Sequence, residues 1–596
     1  MTPRVVRALA PLVLAAAGTA WGDGGHDPFD AVESIEAIRE VEREVTGLVD
    51  RVRPTVVMLR LSGQEGSSTG SGVVISPDGL VATCGHVGDR AGRRVTATTA
   101  DGRVLRGRTL GQANMGALDC GLIKLDTEGE SLASAPLGTS GDLAPGDWLV
   151  VLGYTQGPPG EARASLARVG RVLRSSDREI LFDAPIDAGD SGGPGFNLRG
   201  EVVMISSRCG RQPWENAATP VDRLRERMAE FAAGMDEDQM RLGLDDVDDD
   251  VRTRFTRGGD RSGRMAVQRA LPLDEVVGRA EASMLRILDG TSTGCYATVV
   301  DADGHAVSKR SQLPTPDADG WLRAEDRAGA ARRVRIVGTD GPLDLALLEV
   351  EGTPLPPIAW DLGAKLVPGQ VLLTPRFGPT GPALGFAAIE RRESERDWRS
   401  GPYLGVRTEP VARADAREAG VESAVRVLEV VPDAPASKAG IRVGDLLVSL
   451  DDQPLSGREG LRRRIFDRAV GDRVRIDLLR DGERLDVEAT LATRASDGDG
   501  GIQRGNTVTP ISAVSTGFGE VIAHDAIVWP EQCGGPIVDL DGRAVGLNIA
   551  RYDRTATHAL DPVRVEAAVR RMREAAMRTG EPTQPASAND TSLQAP

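Results

Sequence analysis

Three features of the 596-residue chain predict a mainly β protein in which two copies of one β-rich domain carry a smaller domain inserted into the second copy. Short apolar runs alternate with Gly and Asp turns along most of the length. Several runs recur in the same order at a constant offset, and partway through the recurrence the offset jumps. Strands so short and evenly punctuated read as barrels or sandwiches. With 40% hydrophobic residues the chain is long enough for three or four domains, each with its own core. The net charge of -16 and a pI near 5.1 argue against nucleic acid or an anionic membrane surface as the main partner, since both demand clustered Lys and Arg.

A basic start at Arg4 and Arg7, an apolar run from Ala8 to Ala17 and small residues at Gly18 and Ala20 describe a secretory signal peptide over residues 1–22. That run is too short to span a bilayer, and no later segment supplies the roughly 18 uncharged residues a span needs. An exported protein, periplasmic or extracellular, with no stable membrane span is expected. Its cysteines (Cys84, Cys120, Cys209, Cys295, Cys533) are an odd number for an oxidising compartment, so at least one stays free or pairs between chains. Next comes an N-terminal helix, drawn over 28–50. From Asp30 to Val52 apolar residues fall three or four apart, a stripe that needs a partner surface on its own domain or on another copy.

The β-like runs that follow are "TVVMLRL", "SGVVISPDGLVAT", "RRVTATT", "CGLIKL", "DWLVVLGY" and "EVVMIS", within a first domain over 45–233. A polar stretch over 234–268 includes "DDVDDD" from Asp245 to Asp250. It lacks the Gly and terminal Glu of a calcium loop and reads as a solvated linker. No cofactor and no metal site is predicted. The pattern then repeats: "LDCGLIKL" around Asp119 is echoed by "LDLALLEV" around Asp344, an offset of 225, and "FDAPIDAGDSGGP" by "HDAIVWPEQCGGP", an offset of 342. The difference of about 117 residues is a domain inserted at 401–497, which splits the second copy into 269–400 and 498–576. The tail over 577–596, rich in Pro, Ser, Thr, Ala and Gln, reads as disordered.

The insert contains "GPYLGVRTEP" and "APASKAGIRVGDLLVSLD" followed by the helix-like "GREGLRRRIFDRA". It resembles a bacterial PDZ domain, and the resemblance implies that Tyr403, Leu404, Gly405 and Val406 form a loop whose N–H groups bind the C-terminal carboxylate of a peptide. A PDZ fold used only for packing is the alternative.

Three segments of the first copy combine a reactive side chain with small residues: "VATCGHV" with His86, "ALDCGLIKL" with Asp119 and "DAGDSGGP" with Ser191. A serine hydroxyl is a weak nucleophile at neutral pH and needs a nearby base, for which His has a suitable pKa. A carboxylate on the other imidazole nitrogen fixes the tautomer and stabilises the imidazolium. In "GDSGGP" the glycines permit a sharp turn that aims the N–H groups of Gly189 and Ser191 at a developing oxyanion.

The ordered His, Asp and Ser motifs, the signal peptide and the PDZ-like insert together resemble the HtrA family of exported trypsin-like serine proteases. That resemblance implies a trypsin-like pair of β-barrels with the triad between them for the first copy, and the internal repeat extends this to a second trypsin-like double β-barrel domain, a degenerate one. It also implies a His86–Asp119–Ser191 triad, cleavage of unfolded or damaged polypeptides, peptide C-termini as PDZ ligands, and frequent assembly into a homo-oligomer. The chain departs from the family at Cys84 and Gly85, where Asn-Ala is usual before the His, and at Asp190, where Asn precedes the Ser. Cys84 and Cys120 read as small buried hydrophobes. Ile186 and Pro185, with no Asp at the pocket base, imply an apolar primary pocket.

In the second copy Ser311 holds the His position, Asp344 persists, Glu531 replaces the oxyanion Gly and Cys533 replaces the Ser. A cysteine nucleophile needs a base or cation beside it, and His305 and His524 lie elsewhere, so a non-catalytic second copy is expected. A rival reading makes both copies silent, leaving a PDZ scaffold that binds peptides or partner proteins.

Overall fold

The computed structural model describes residues 34–63, 66–115, 118–155, 165–236, 273–377, 381–394, 402–455, 472–493 and 510–579, with scattered positions between 457 and 468. The signal peptide, the acidic run and the tail beyond 579 lie outside the described residues.

Helix α1 (Ile35–Val52) starts at Ser34, whose hydroxyl accepts from Ala37 N, and it buries Ile38, Val45, Leu48, Val49 and Val52. The Leu48–Val52 end of the stripe packs on its own domain, where a side chain at Gly200 would meet Leu48 and Val52, while Val45 and Thr46 lie against Gly369 of the 367–371 segment.

Strands β1 (Val56–Gly63), β2 (Gly66–Val74), β3 (Leu80–Thr83), β4 (Arg94–Thr98), β5 (Val104–Met115) and β6 (Leu118–Leu125) close into a barrel in the order β1-β2-β3-β6-β5-β4. Alternation decides which way side chains face: Leu59 and Leu61 fill the core while Arg60 between them is exposed. Strands β7 (Trp148–Gly153), β8 (Leu166–Ser175), β9 (Ile180–Phe182), β10 (Pro194–Phe196), β11 (Val202–Cys209) and β12 (Asn216–Pro220) form a second barrel in the order β10-β11-β12-β9-β8-β7. The domain reaches past the start drawn for the linker, since Ala91 N donates to Asp236 and Gln112 N to Met235 O.

The second copy repeats both barrels. Strands β13 (Met284–Asp289), β14 (Ser292–Val299), β15 (His305–Lys309), β16 (Trp321–Asp326), β17 (Ala331–Asp340) and β18 (Leu345–Val350) close in the order β13-β14-β15-β18-β17-β16. The last barrel contains β19 (Val371–Thr374) and β20 (Ala383–Ser394) and, after an interruption, strands at Gly519–His524, Pro536–Val538, Ala544–Arg551 and Thr557–Leu560. Between its second and third strands lies a separate domain with a sheet whose edge strand is Val406–Pro410 and a core of Val425, Val427, Leu447, Ile476 and Leu478. The architecture is therefore mainly β: two double barrels, the second interrupted. Backbone packing divides the chain into two compact units, residues 1–275 with 367–371 and 380–388, and the remainder.

Candidate active site

Strand β3 runs into the single helical turn α2 (Gly85–Gly88), which carries His86. A Cβ at Gly85 would lie 1.9 Å from the Ala113 carbonyl oxygen, so the departure seen at this position is a steric requirement of this chain. Asp119, at the start of β6, is almost fully buried. It accepts from His86 N (3.0 Å), sits 2.7 Å from His86 Nδ1, and accepts from the Ser207 hydroxyl (2.5 Å). With Nδ1–H donating to the carboxylate, Nε2 is the free acceptor. Burial works against ionisation of Asp119, but the hydrogen bond and charge of His86, with Ser207, hold its pKa below the usual carboxylate range. Burial likewise opposes a charged His86, yet the bond to and charge of Asp119 outweigh it and raise the imidazole pKa. The His86 side chain remains 38% exposed, open to a reactant.

Ser191 follows a tight turn in which Asp190 N donates to Asp187 O (3.0 Å) and Gly189 adopts φ 94°. Positive φ at the third turn position is the type II geometry, for which Gly is suited. The turn is pinned to its surroundings: Ser71 N donates to Ser191 O (2.8 Å), Ser71 Oγ to Gly189 O (2.8 Å) and Gly192 N to Ser206 O (2.8 Å). A Cβ at Gly192 would strike Thr83 Oγ1 and Ser71 O and come within 3.0 Å of Cys84 N, so the Ser191 and His86 segments converge. Among the described residues the N–H groups of Gly189 and Ser191 donate to no protein acceptor, and Ser191 Oγ makes no hydrogen bond, to His86 or elsewhere.

The second copy keeps the scaffold and alters the centre. Tyr296 N donates to Cys533 O and Gly534 N to Asn548 O, matching the first copy bond for bond. Ser311 occupies the place of His86: its N–H donates to Asp344 Oδ1 (3.0 Å) and its hydroxyl to Oδ2 (2.6 Å). Lys309, fully buried, donates to Asp344 Oδ2 (2.7 Å) and Val514 O (2.7 Å). With Glu531 in place of a positive-φ Gly, the turn becomes a 3-10 helix (Pro530–Gln532), and Cys533 N donates to Pro530 O at 3.0 Å. The N–H group that would face an oxyanion is consumed internally. Cys533 itself is wholly buried, and that burial raises its thiol pKa. His524 is buried against Asn548, its pKa pushed down to about 4 by burial, and His305 pairs with Asp301.

Ile186 packs in the core of the second barrel, with Ala184 buried and the Asn216 amide donating to Ala184 O. In the inserted domain, Gly405 has φ 88° and its carbonyl accepts from Val431 N, while Leu404 O accepts from Ala436 N. Tyr403 pairs with Ala492 and Val406 with Val430. Among the described residues the Leu404 and Gly405 N–H groups donate to no protein acceptor. An ion pair between Arg310 and Asp472 (2.6 Å) ties this domain to the segment that replaces the His helix.

All five cysteines are free thiols. Cys84 Sγ donates to Ser206 O (2.9 Å), burial and the charge of Asp119 hold its thiol well above the ordinary pKa, and the His86 and Asp119 side chains near it are bonded to each other. Asp301, Asp303 and His305 also cluster, but the Arg573 guanidinium already pairs with both carboxylates. Sequence reasoning missed Ser207 and Lys309. Ser207 sits inside an apolar strand, where nothing in the pattern marks it. Lys309 lies two positions before Ser311, where the 225-residue offset places it opposite Cys84.

A trypsin-like peptidase domain is matched over residues 70–205 and a PDZ domain over residues 402–491. The chain is 26% identical over 455 residues to the "Probable periplasmic serine endoprotease DegP-like" of Halomonas elongata, covering 72% of this chain and 80% of that protein. To the protein of the same name from Hahella chejuensis it is 25% identical over 434 residues, covering 71% and 80%.

Proposed function

We propose, from the premise that this chain is an HtrA-like serine endoprotease with a PDZ domain, that Ser191 is its nucleophile, His86 its base and Asp119 the residue that orients and charges the base. His86 Nε2 takes the Ser191 proton as Oγ attacks the scissile carbonyl, and Asp119 stabilises the imidazolium, which then protonates the leaving amine. The Gly189 and Ser191 N–H groups receive the oxyanion, each contributing about 10²- to 10³-fold. Unfolded or damaged polypeptide outside the cytoplasm is the substrate, and the PDZ loop Tyr403–Val406 captures peptide C-termini. The second copy is non-catalytic.

The observation that carries this reading is the pair of undonated N–H groups at the Ser191 turn, beside a His86 already locked to Asp119. The absence of a Ser191–His86 hydrogen bond favours the rival, a silent scaffold. Apo geometry often tightens only when substrate binds. A fluorophosphonate probe decides between them: wild type should label and Ser191→Ala should not. A wild type that stays unlabelled, alongside a protease that reacts, removes the enzyme reading.

A further inference from the structure

Beside the proposed nucleophile lies an ion pair that the catalytic reading does not use. Arg168 on β8 and Asp190 are 0% and 1% exposed, with Arg168 Nη2 donating to Asp190 Oδ1 at 2.7 Å. The other carboxylate oxygen, Oδ2, accepts from Asp187 N (2.9 Å), the first residue of the turn whose third residue is Gly189. Gly193 N donates to Asp190 O (2.8 Å), closing the turn on its far side. Gly153, at the end of β7, makes room for the carboxylate, since a Cβ there would lie 2.4 Å from Asp190 Oδ1. Arg168 Nε and Nη1 have no partner among the described residues.

A buried ion pair is a poor source of stability, because the desolvation of two charges rivals or exceeds their attraction. Its presence here calls for another account, and the second copy supplies the control. There Gln532 stands where Asp190 would be, and its Oε1 accepts from Trp529 N (3.0 Å), so a neutral amide caps the same backbone N–H. The copy that keeps a charged cap is the one whose turn leaves its N–H groups undonated.

We propose that Arg168 is a positioning residue: through Asp190 it ties the nucleophile turn to the wall of the second barrel and holds the Gly189 and Ser191 N–H groups toward the oxyanion. This rests on the reading of Ser191 as nucleophile. Asp190, the departure noted beside Ser191, and Arg168 then form one device, a cation supplied from within the chain. Removing the cation takes from the buried carboxylate its 2.7 Å guanidinium partner, and with it the tie between β8 and the turn that Asp190 caps at Asp187 N.

The test uses the full chain and a chromogenic peptide at a temperature where circular dichroism reports every variant folded. Arg168→Met should lower kcat by about 10²- to 10³-fold, the contribution of one oxyanion donor, with KM within threefold, the signature of an interaction made only in the transition state. The double variant Arg168→Met/Asp190→Asn, with no buried charge left, should regain at least tenfold over Arg168→Met. A folded Arg168→Met with kcat within threefold of wild type overturns the proposal, as does a loss seen in KM alone or an absence of rescue. Should Arg168→Met fail to fold, Asp190→Asn decides alone, and unchanged kcat there overturns it. Fluorophosphonate labelling of wild type separates the two failures: no labelling sinks the catalytic reading and this proposal with it, whereas labelling with equally active variants sinks only the role of Arg168.

Discussion

The two protease copies differ less in scaffold than in three short places. Both close barrels of the same strand order, both hold the nucleophile segment by the same backbone bonds, and both bury an Asp behind the base position. In the first copy that Asp faces an imidazole, which can give and take a proton. In the second it faces a serine hydroxyl and the buried ammonium of Lys309. The first nucleophile turn is opened by Gly189, and the second is closed by Glu531. The contrast between the copies involves no loss of fold: the second copy keeps a buried carboxylate paired with Lys309, and its turn takes a 3-10 geometry that any residue adopts.

The largest effect that would break this comparison is on stability. Lys309→Met strips Asp344 of its cation in a fully buried setting, for which about 3–5 kcal/mol is typical. Urea unfolding should show that loss, with fluorophosphonate labelling of Ser191 retained below the transition. A change under 1 kcal/mol would mean that the Ser311 bonds suffice for the carboxylate.

Gly189→Glu converts the first turn into the second. If the turn closes as it does at Cys533, Ser191 N turns toward the Ala188 carbonyl, and kcat should fall by about 10²- to 10³-fold with little change in KM. Steady-state kinetics on a peptide substrate would measure this, and an unchanged kcat would detach the oxyanion function from Gly189.

Much of this contrast was legible in the sequence, because constant offsets turn two distant segments into an alignment. The substitutions Ser311, Glu531 and Cys533 follow from counting. What counting could not reach are inward-facing charges. Arg168 and Lys309 lie in strands, where a charged residue ordinarily reads as solvent-facing, and only the closure of the barrels turns them inward. Gly85 looked like a departure because the nearness of the Ala113 carbonyl is a tertiary fact with no local signature. The segments "CGLIKL" and "DWLVVLGY" were readable as strands from apolar runs, whereas β8, with Arg168 and Arg171 in its interior, was not.

A smaller effect sharpens the first copy alone. With His86 as the proposed base, only its neutral form could accept the Ser191 proton, and Asp119 favours the protonated ring, so kcat/KM should rise with pH through a midpoint above the ordinary imidazole value of about 6.5. A midpoint below that value, in a pH–rate profile on a non-titrating substrate, would mean that burial prevails over Asp119.

The smallest effect is predicted where the sequence first suggests chemistry. Cys533 is wholly buried, its N–H is bonded to Pro530 O, its thiol is 3.7 Å from the Ser512 hydroxyl, and among the described residues no histidine is hydrogen-bonded to it. Burial keeps the thiol protonated, and a protonated thiol without a base is not a nucleophile. Cys533→Ala should therefore leave casein cleavage unchanged and reduce stability by about 1 kcal/mol, the price of a small cavity. A large loss of rate in a folded Cys533→Ala protein would show that the second copy takes part in the chemistry after all, and the division of labour between the copies would have to be redrawn.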